Sequence, residues 1–130
     1  MPLIYSNEVC TGVEYEVASH VIFTGRVREG LEIVRTCSNR YDGRVRIPFD
    51  EYECGHWYTR AMVSYELLEA CTEARYHAVD KTLCIDSRVG GFISFLSTAT
   101  GFGNVVYKDG RASFKVFYRA IDVQKTVIRH

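Results

Sequence analysis

The hydrophobic pattern of the chain predicts one long helix with strands on both sides of it. Residues 59–79 contain neither Gly nor Pro and are rich in Ala, Leu, Met and Glu, which are good helix formers. Val63, Leu67, Ala70 and Ala74 recur there at helical spacing. Because apolar side chains extend most of the way round this segment, we expect the helix to be buried inside a domain.

A narrow acidic stripe interrupts the apolar surface of this predicted helix. Glu66, Glu69 and Glu73 share one helical face because they lie at i, i+3 and i+7. His77 extends the stripe by one turn, and the loop 55–57 leads into the helix. The stripe has two possible explanations. It is a structural feature, either a solvated face or a row of ion pairs, or it is part of a catalytic site.

Strand patterns occupy most of the remaining chain, while residues 1–16 are weakly patterned. Before the helix, strands are predicted at 17–27, 31–37 and 44–49, with a turn at 28–30. After it, they are predicted at 82–89, 92–100, 105–108 and 111–123. Asp109-Gly110 is the strongest hairpin signal. We therefore predict a single α+β domain over residues 1–130, in which an antiparallel sheet wraps around the long central helix.

Composition restricts the classes of function. The formal net charge is +0, which argues against a general nucleic-acid or membrane-surface binder, although arginines concentrated in the first half leave a local basic patch open. The five cysteines are odd in number and lack a Cys-x-x-Cys pair. Without a recognisable signal peptide or an apolar run long enough to span a membrane, reduced thiols and a cytoplasmic location are expected.

Two local motifs resemble enzymes of the hot-dog superfamily, in which an antiparallel sheet curls around one central helix. Gly55-His56-Trp57 followed by Leu68-Glu69-Ala70 resembles the Gly-His-Phe and Glu-Ala motifs of 3-hydroxyacyl dehydratases. Residues 43–58 are similar to the FcoT-like fatty acyl-CoA thioesterases. The dehydratases have a Pro- and Gly-rich segment where this chain has Tyr58-Thr59-Arg60-Ala61, so the resemblance implies thioester hydrolysis in preference to dehydration. It also implies a homodimer, since hot-dog sheets commonly pair edge to edge.

This resemblance suggests roles for individual residues. Backbone N–H groups at the helix start, from Tyr58 to Ala61, would hold the thioester oxygen. Glu66 or Glu69 would act as general base or nucleophile, with a pKa raised by burial. Glu69 is preferred, because Leu68-Glu69-Ala70 is the segment that resembles the dehydratase helix. His56 would be the acid–base partner or the orienting group. The substrate-binding candidates beside it are Gly55, Trp57 and Tyr58.

A coenzyme A carrier would need cations for its phosphates. Arg44, Arg46 and Arg60 lie nearest in sequence to the predicted active loop. The alternative is that they pair with the surface acids Asp50, Glu51 and Glu53. No cofactor is predicted, and no metal site either, because the Cys54-x-His56 pair has no second pair at ligand spacing.

The predicted function is hydrolysis of an acyl-CoA or acyl-carrier thioester. The alternative is a non-catalytic small-molecule-binding or interaction module on the same fold. An NTF2-like cone, with isomerase or dehydratase activity, is a third reading. Such cones usually begin with helices, whereas residues 1–40 are not helical in pattern, so the hot-dog arrangement is preferred.

Overall fold

A computed structural model describes residues 10–44 and 61–129, which contain three helices and six strands. The helices are α1 (Thr11–Phe23), α2 (Val27–Asn39) and α3 (Ala61–Thr72). The strands are β1 (Arg75–His77), β2 (Thr82–Ile85), β3 (Phe92–Thr98), β4 (Gly101–Lys108), β5 (Arg111–Arg119) and β6 (Lys125–Ile128). The described chain is α+β, as predicted. It divides into two compact units, Met1–Leu67 and Leu68–His130.

The first unit contains two helices where the sequence pattern predicted strands, so the strand predictions for residues 17–27 and 31–37 are wrong. Val and Ile are abundant in both segments and favour strands locally. Burial nevertheless follows a helical repeat: Ala18 and Ile22 are fully buried four residues apart. Tertiary packing of that stripe therefore outweighs the β propensity of the individual residues.

Two glycines determine how α1 meets α2, and neither forms the turn predicted at residues 28–30. Gly25 ends α1 with a φ of 86°, and its N–H donates to Ile22 O at 2.8 Å, a left-handed helix end that suits glycine. Gly30 lies inside α2 and is buried. A Cβ atom there would lie 2.5 Å from Ile22 Cγ1 and 2.8 Å from Ala18 O. The missing side chain therefore permits the close contact between the two helices.

An ion pair joins α1 to the residue that follows α2. Arg40 donates from both terminal nitrogens to the carboxylate of Glu14, with Nη1 3.2 Å from Oε1. Cys37 is fully buried close to this pair. Burial raises the pKa of the Cys37 thiol, and the Glu14 carboxylate raises it further.

Helix α3 is shorter than predicted, so the long central helix of a hot-dog fold is not found among the described residues. It has 12 residues and ends at Thr72, whereas the pattern predicted a helix to residue 79. Glu73 has a φ of 38°, and the following residues form β1. Ala70 is buried and Leu67 is half-buried, but Met62 is 87% exposed. The helix is therefore not covered all round.

The second unit contains two three-stranded sheets. In the first, β1 pairs antiparallel with β2, and β2 pairs parallel with β6. In the second, β3, β4 and β5 form an antiparallel meander. Both sheets contribute to one buried core, which consists of Leu83, Ile85, Leu96, Val105 and Tyr107.

The hairpin predicted at Asp109-Gly110 is confirmed. Both residues have positive φ, 49° and 74°, as a two-residue turn of type I′ requires, and Lys108 pairs with Arg111 across it. Gly101 and Gly103, which the predicted strands 92–100 and 105–108 leave out, instead belong to β4. A Cβ at Gly103 would be 2.2 Å from Lys115 O, so glycine lets β5 approach there.

The helices differ from membrane spans in length. They have 12 or 13 residues each, while a bilayer crossing takes roughly 20 apolar residues. Among the described residues, no helix meets the length and hydropathy that a crossing requires.

Candidate binding site

Glu73, directly after α3, is the most buried acidic side chain of the second unit that the structure describes. Only 5% of the residue is exposed, and its backbone N–H donates to Glu69 O at 2.7 Å. Because a buried carboxylate needs charged or polar partners, its surroundings define the chemistry of this region.

Two arginines provide those partners. Arg88 donates to Glu73 Oε1 from Nε at 3.1 Å and from Nη2 at 2.8 Å. Arg75 donates from Nη2 to Oε2 at 2.7 Å. The hydrogen bond to Glu73 raises the pKa of the Arg88 guanidinium. The backbone N–H of Arg88 also donates to Cys71 O at 2.9 Å, so this arginine is fixed to the end of α3 at two points.

A cavity of about 290 Å³ opens beside this ion pair; we call it the Glu73 pocket. It is lined by Glu73, Arg75, Tyr76, His77, Cys84, Ile85, Asp86 and Arg129. The lining residues lie in or close to the ends of three neighbouring strands, because Arg75 pairs with Cys84 in register and the N–H of Arg129 donates to Ile85 O at 2.8 Å. Residues far apart in sequence thus meet at one end of the first sheet.

The pocket has more basic than acidic groups available to bind a ligand. The Glu73 carboxylate is occupied by Arg75 and Arg88, and Asp86 lies 3.5 Å from Arg88. Among the described residues, no carboxylate pairs with the guanidinium of Arg129, which is exposed. An available guanidinium beside a second arginine is suited to a carboxylate or phosphate ligand.

Hydrogen bonds fix the pocket wall formed by β1. The hydroxyl of Tyr76 donates to Asp122 O at 2.8 Å, and Asp122 also pairs with Lys81 at 2.5 Å. His77 Nδ1 lies 3.0 Å from a carboxylate oxygen of Asp80. The Tyr76 hydrogen bond ties β1 to the segment before β6.

Most of the site residues predicted from sequence lie outside the described residues. This applies to Gly55, His56, Trp57, Tyr58, Arg46 and Arg60. Arg44 is described: it is exposed and pairs with Asp42, whose pKa is lowered by the hydrogen bonds from Arg44. Its partner is thus a nearby acid, although not one of those proposed from sequence.

The two candidate catalytic glutamates both lie on α3. Glu66 is half-buried and Glu69 is exposed. Of the two, Glu66 is the more buried. Among the predicted site residues that the structure describes, these two glutamates lie three residues apart on α3 and so are neighbours on the helix.

Sequence reasoning misplaced the residues that form the pocket. Glu73 was grouped with the helical stripe and is instead the buried ion-pair centre after the helix. His77 was placed on the same helical face and lies on strand β1. The alternation of charged and aromatic residues in Arg75-Tyr76-His77 is the signal that could have revealed a strand here.

The described residues contain no group of three or more His, Cys, Asp or Glu side chains arranged to hold a metal ion. The Glu73 pocket offers a ligand the guanidinium groups of its arginines, an imidazole and a thiol.

Comparison of the sequence with protein-family models and with curated proteins finds no match.

Proposed function

We propose that the protein binds a small organic anion in the Glu73 pocket. The observation that carries this proposal is the guanidinium of Arg129, which lines the cavity without a carboxylate partner among the described residues. Arg75 provides a second cation, and the half-buried ring of Tyr76 provides apolar surface. A few polar groups in a partly apolar cavity are typical of sites for small molecules.

The size of the cavity restricts the ligand. At about 290 Å³ it lies near the lower end of the roughly 300–1,000 Å³ of ligand pockets. It suits a short carboxylic acid or a small phosphorylated compound, and it is too small to enclose a whole coenzyme A. If the ligand is an acyl thioester, the carrier remains outside.

For the fold we propose an NTF2-like cone in preference to the hot-dog arrangement. Such cones usually begin with helices, which the sequence pattern did not predict near the start of the chain. The structure has two helices there, α1 and α2. The 12 residues of α3 also support this choice, because the hot-dog fold has one long central helix.

Hydrolysis of an acyl thioester is the second candidate function. One observation favours it: α3 is a helix, it follows Gly55-His56-Trp57 in the sequence, and it contains both candidate glutamates. That mechanism needs a helix after the Gly-His-Trp segment. Glu66, half-buried one turn further on, is the better-placed carboxylate in this reading.

Calorimetric titration with a panel of small carboxylates, phosphorylated compounds and short acyl-CoA thioesters tests the binding proposal. We expect at least one small anion to bind, and Arg129→Gln to weaken that binding at least about tenfold, as loss of one charged hydrogen bond predicts. Arg28→Gln is the control, since Arg28 is an exposed arginine on α2. Equal weakening in both variants, or no binding by any compound, contradicts the proposal.

A further inference from the structure

The β3–β4–β5 sheet has one face that is covered along β3 and β4 and one face that is open. Ser94, Leu96 and Val105 are buried on the core side. Because side chains alternate along a strand, their neighbours point the other way and stay accessible. We call this side the outer face; it includes Ile93, Phe95, Phe102, Lys115 and Tyr118.

Aromatic rings form a continuous row on the outer face. The rings of Phe95 and Phe102 have centroids 6.0 Å apart, and those of Phe102 and Tyr118 are stacked at 5.5 Å with an interplanar angle of 23°. These three residues are 39–51% exposed. It is unusual for a sheet that faces solvent to expose a row of aromatic rings across three strands.

An irregularity in β5 adds a fourth ring to this row. The pairing of β4 with β5 shifts register between Phe102 and Gly103, which leaves Phe117 as an extra residue. Lys115 Nζ lies 5.4 Å from the centre of the Phe117 ring, so this ring is on the same side as Lys115. The bulge thus places two consecutive aromatic residues on the outer face.

The charges on these strands all have one sign. Strands β3, β4 and β5 contain four basic residues and neither Asp nor Glu. The basic residues are Lys108, Arg111, Lys115 and Arg119. Arg119 lies with its guanidinium carbon 5.2 Å from the centre of the Tyr118 ring. Although the whole chain has a formal net charge of +0, this sheet is locally basic.

We propose that the outer face binds single-stranded nucleic acid. Unpaired bases would stack on Phe95, Phe102 and Tyr118, and the basic residues would contact the phosphates. Stacking on exposed aromatic side chains within a positively charged surface is how proteins bind single strands without strict sequence preference. Duplexes do not fit, because their base faces are covered by the neighbouring base pairs.

Charge complementarity argues against a second copy of the chain on this edge. If β5 paired antiparallel with its own copy around Lys115, the two Lys115 side chains would face each other. Like charges directly opposite each other destabilise a sheet. A polyanion with planar groups complements this surface, because its charges pair with the cations and its planar groups stack on the rings.

Fluorescence anisotropy with labelled oligo-dT and oligo-U of about 15 nucleotides, a length near the upper site size of one small domain, tests the proposal. We expect both to bind and a matched duplex to compete poorly. The two probes distinguish DNA from RNA as the source of the single strand. Failure of both probes to bind at micromolar protein and low salt overturns the proposal.

Matched variants separate stacking from charge. Tyr118→Ala should weaken binding at least about fivefold, the low end for loss of one stacked base, whereas Tyr65→Ala, an exposed tyrosine on α3, should not. Lys115→Gln should reduce the slope of log affinity against log salt by about 0.7, and Lys125→Gln on β6 should reduce it less. If Tyr118→Ala fails to fold by circular dichroism, Tyr118→Leu keeps the apolar volume and removes the ring.

Two further outcomes would refute the proposal. Heparin carries the charge without bases. Heparin binding as tight as oligonucleotide binding, together with oligonucleotide binding that Tyr118→Leu leaves unchanged, would therefore mean a general polyanion surface. Binding to phosphatidylserine vesicles, with none to either oligonucleotide, would make the outer face a lipid-contacting surface. The small-anion titration on Arg129→Gln is independent of both outcomes, so the two proposals fail separately.

Discussion

Replacing Glu73 by Gln tests whether the buried ion pair holds the junction between α3 and β1. The wild-type carboxylate accepts hydrogen bonds on both oxygens, from Arg88 at 2.8 and 3.1 Å and from Arg75 at 2.7 Å. A glutamine of similar shape has one acceptor oxygen. Its NH₂ group would face a guanidinium donor, so at least one charged hydrogen bond is lost and the remaining ones have a neutral acceptor.

The expected cost lies between two limits. Breaking a fully buried ion pair costs about 3–5 kcal/mol, while an exposed pair contributes less than about 1 kcal/mol. The Glu73 side chain is 6% exposed, but its arginine partners are 32% and 55% exposed, which reduces the effect through solvent screening. We therefore expect Glu73→Gln to lower the free energy of unfolding by about 2 kcal/mol.

Urea unfolding monitored by circular dichroism measures this change. Glu69→Gln is the matched control, because Glu69 is exposed on α3 and should change the free energy of unfolding by less than about 0.5 kcal/mol. Arg88→Gln should cost much less in the Glu73→Gln background than in the wild type, since its main partner is already neutral. A loss below about 0.5 kcal/mol for Glu73→Gln, or additive effects of the two changes, would refute the structural role of this pair.

Three other changes test separate parts of the structure. Gly30→Ala should lower the free energy of unfolding by about 1–3 kcal/mol through overpacking against Ile22, despite the better helix propensity of Ala; unchanged or increased stability in urea would contradict the close helix contact. Cys37 should react with iodoacetamide far more slowly than the exposed Cys10, as peptide mass spectrometry would show, and equal rates in the native protein would mean that it is not buried. The pKa of Cys37 in the folded protein is raised above the ordinary thiol value of 9.0. The stabilising contribution of the neutral thiol is therefore complete below pH 9.0 and should decline as the pH rises above that value. Cys37→Ala should abolish this decline. If the chain hydrolyses acyl-CoA, Glu66→Gln should lower turnover at least about a hundredfold, whereas the control Glu69→Gln should not. Equal loss of turnover in both variants would mean that Glu66 has no special role.

The features that sequence predicted correctly are local. Asp109-Gly110 specifies its turn because both residues tolerate positive φ. The starts of β2 and β3 at Thr82 and Phe92 agree with the predicted strands. Each depends on residues adjacent in the chain, where backbone preference alone is informative.

The features that sequence missed depend on distant contacts. Gly30 was read as a turn because its role, the approach of Ile22 from another helix, is not visible locally. The buried residues of α2, Gly30 and Cys37, together with the half-buried Val27 and Val34, have helical spacing, and this signal was masked by β-branched residues.

The candidate site was missed for the same reason. Glu73 and Arg88 are 15 residues apart, and Arg129 reaches the pocket only through the parallel pairing of β6 with β2. No short-range motif indicates that pairing. A search for motifs therefore favoured Gly55-His56-Trp57 and overlooked residues that three separate strands bring together.

Amide chemical-shift mapping of the folded protein, with a small carboxylate or phosphate added in increasing amounts, tests the proposed binding site most directly. Binding in the Glu73 pocket predicts saturable shifts concentrated at residues 73–77, 84–86 and 129, and their loss in Arg129→Gln. Shifts that do not saturate, or that concentrate on α1 and α2, would contradict the proposal that this pocket holds an anionic ligand.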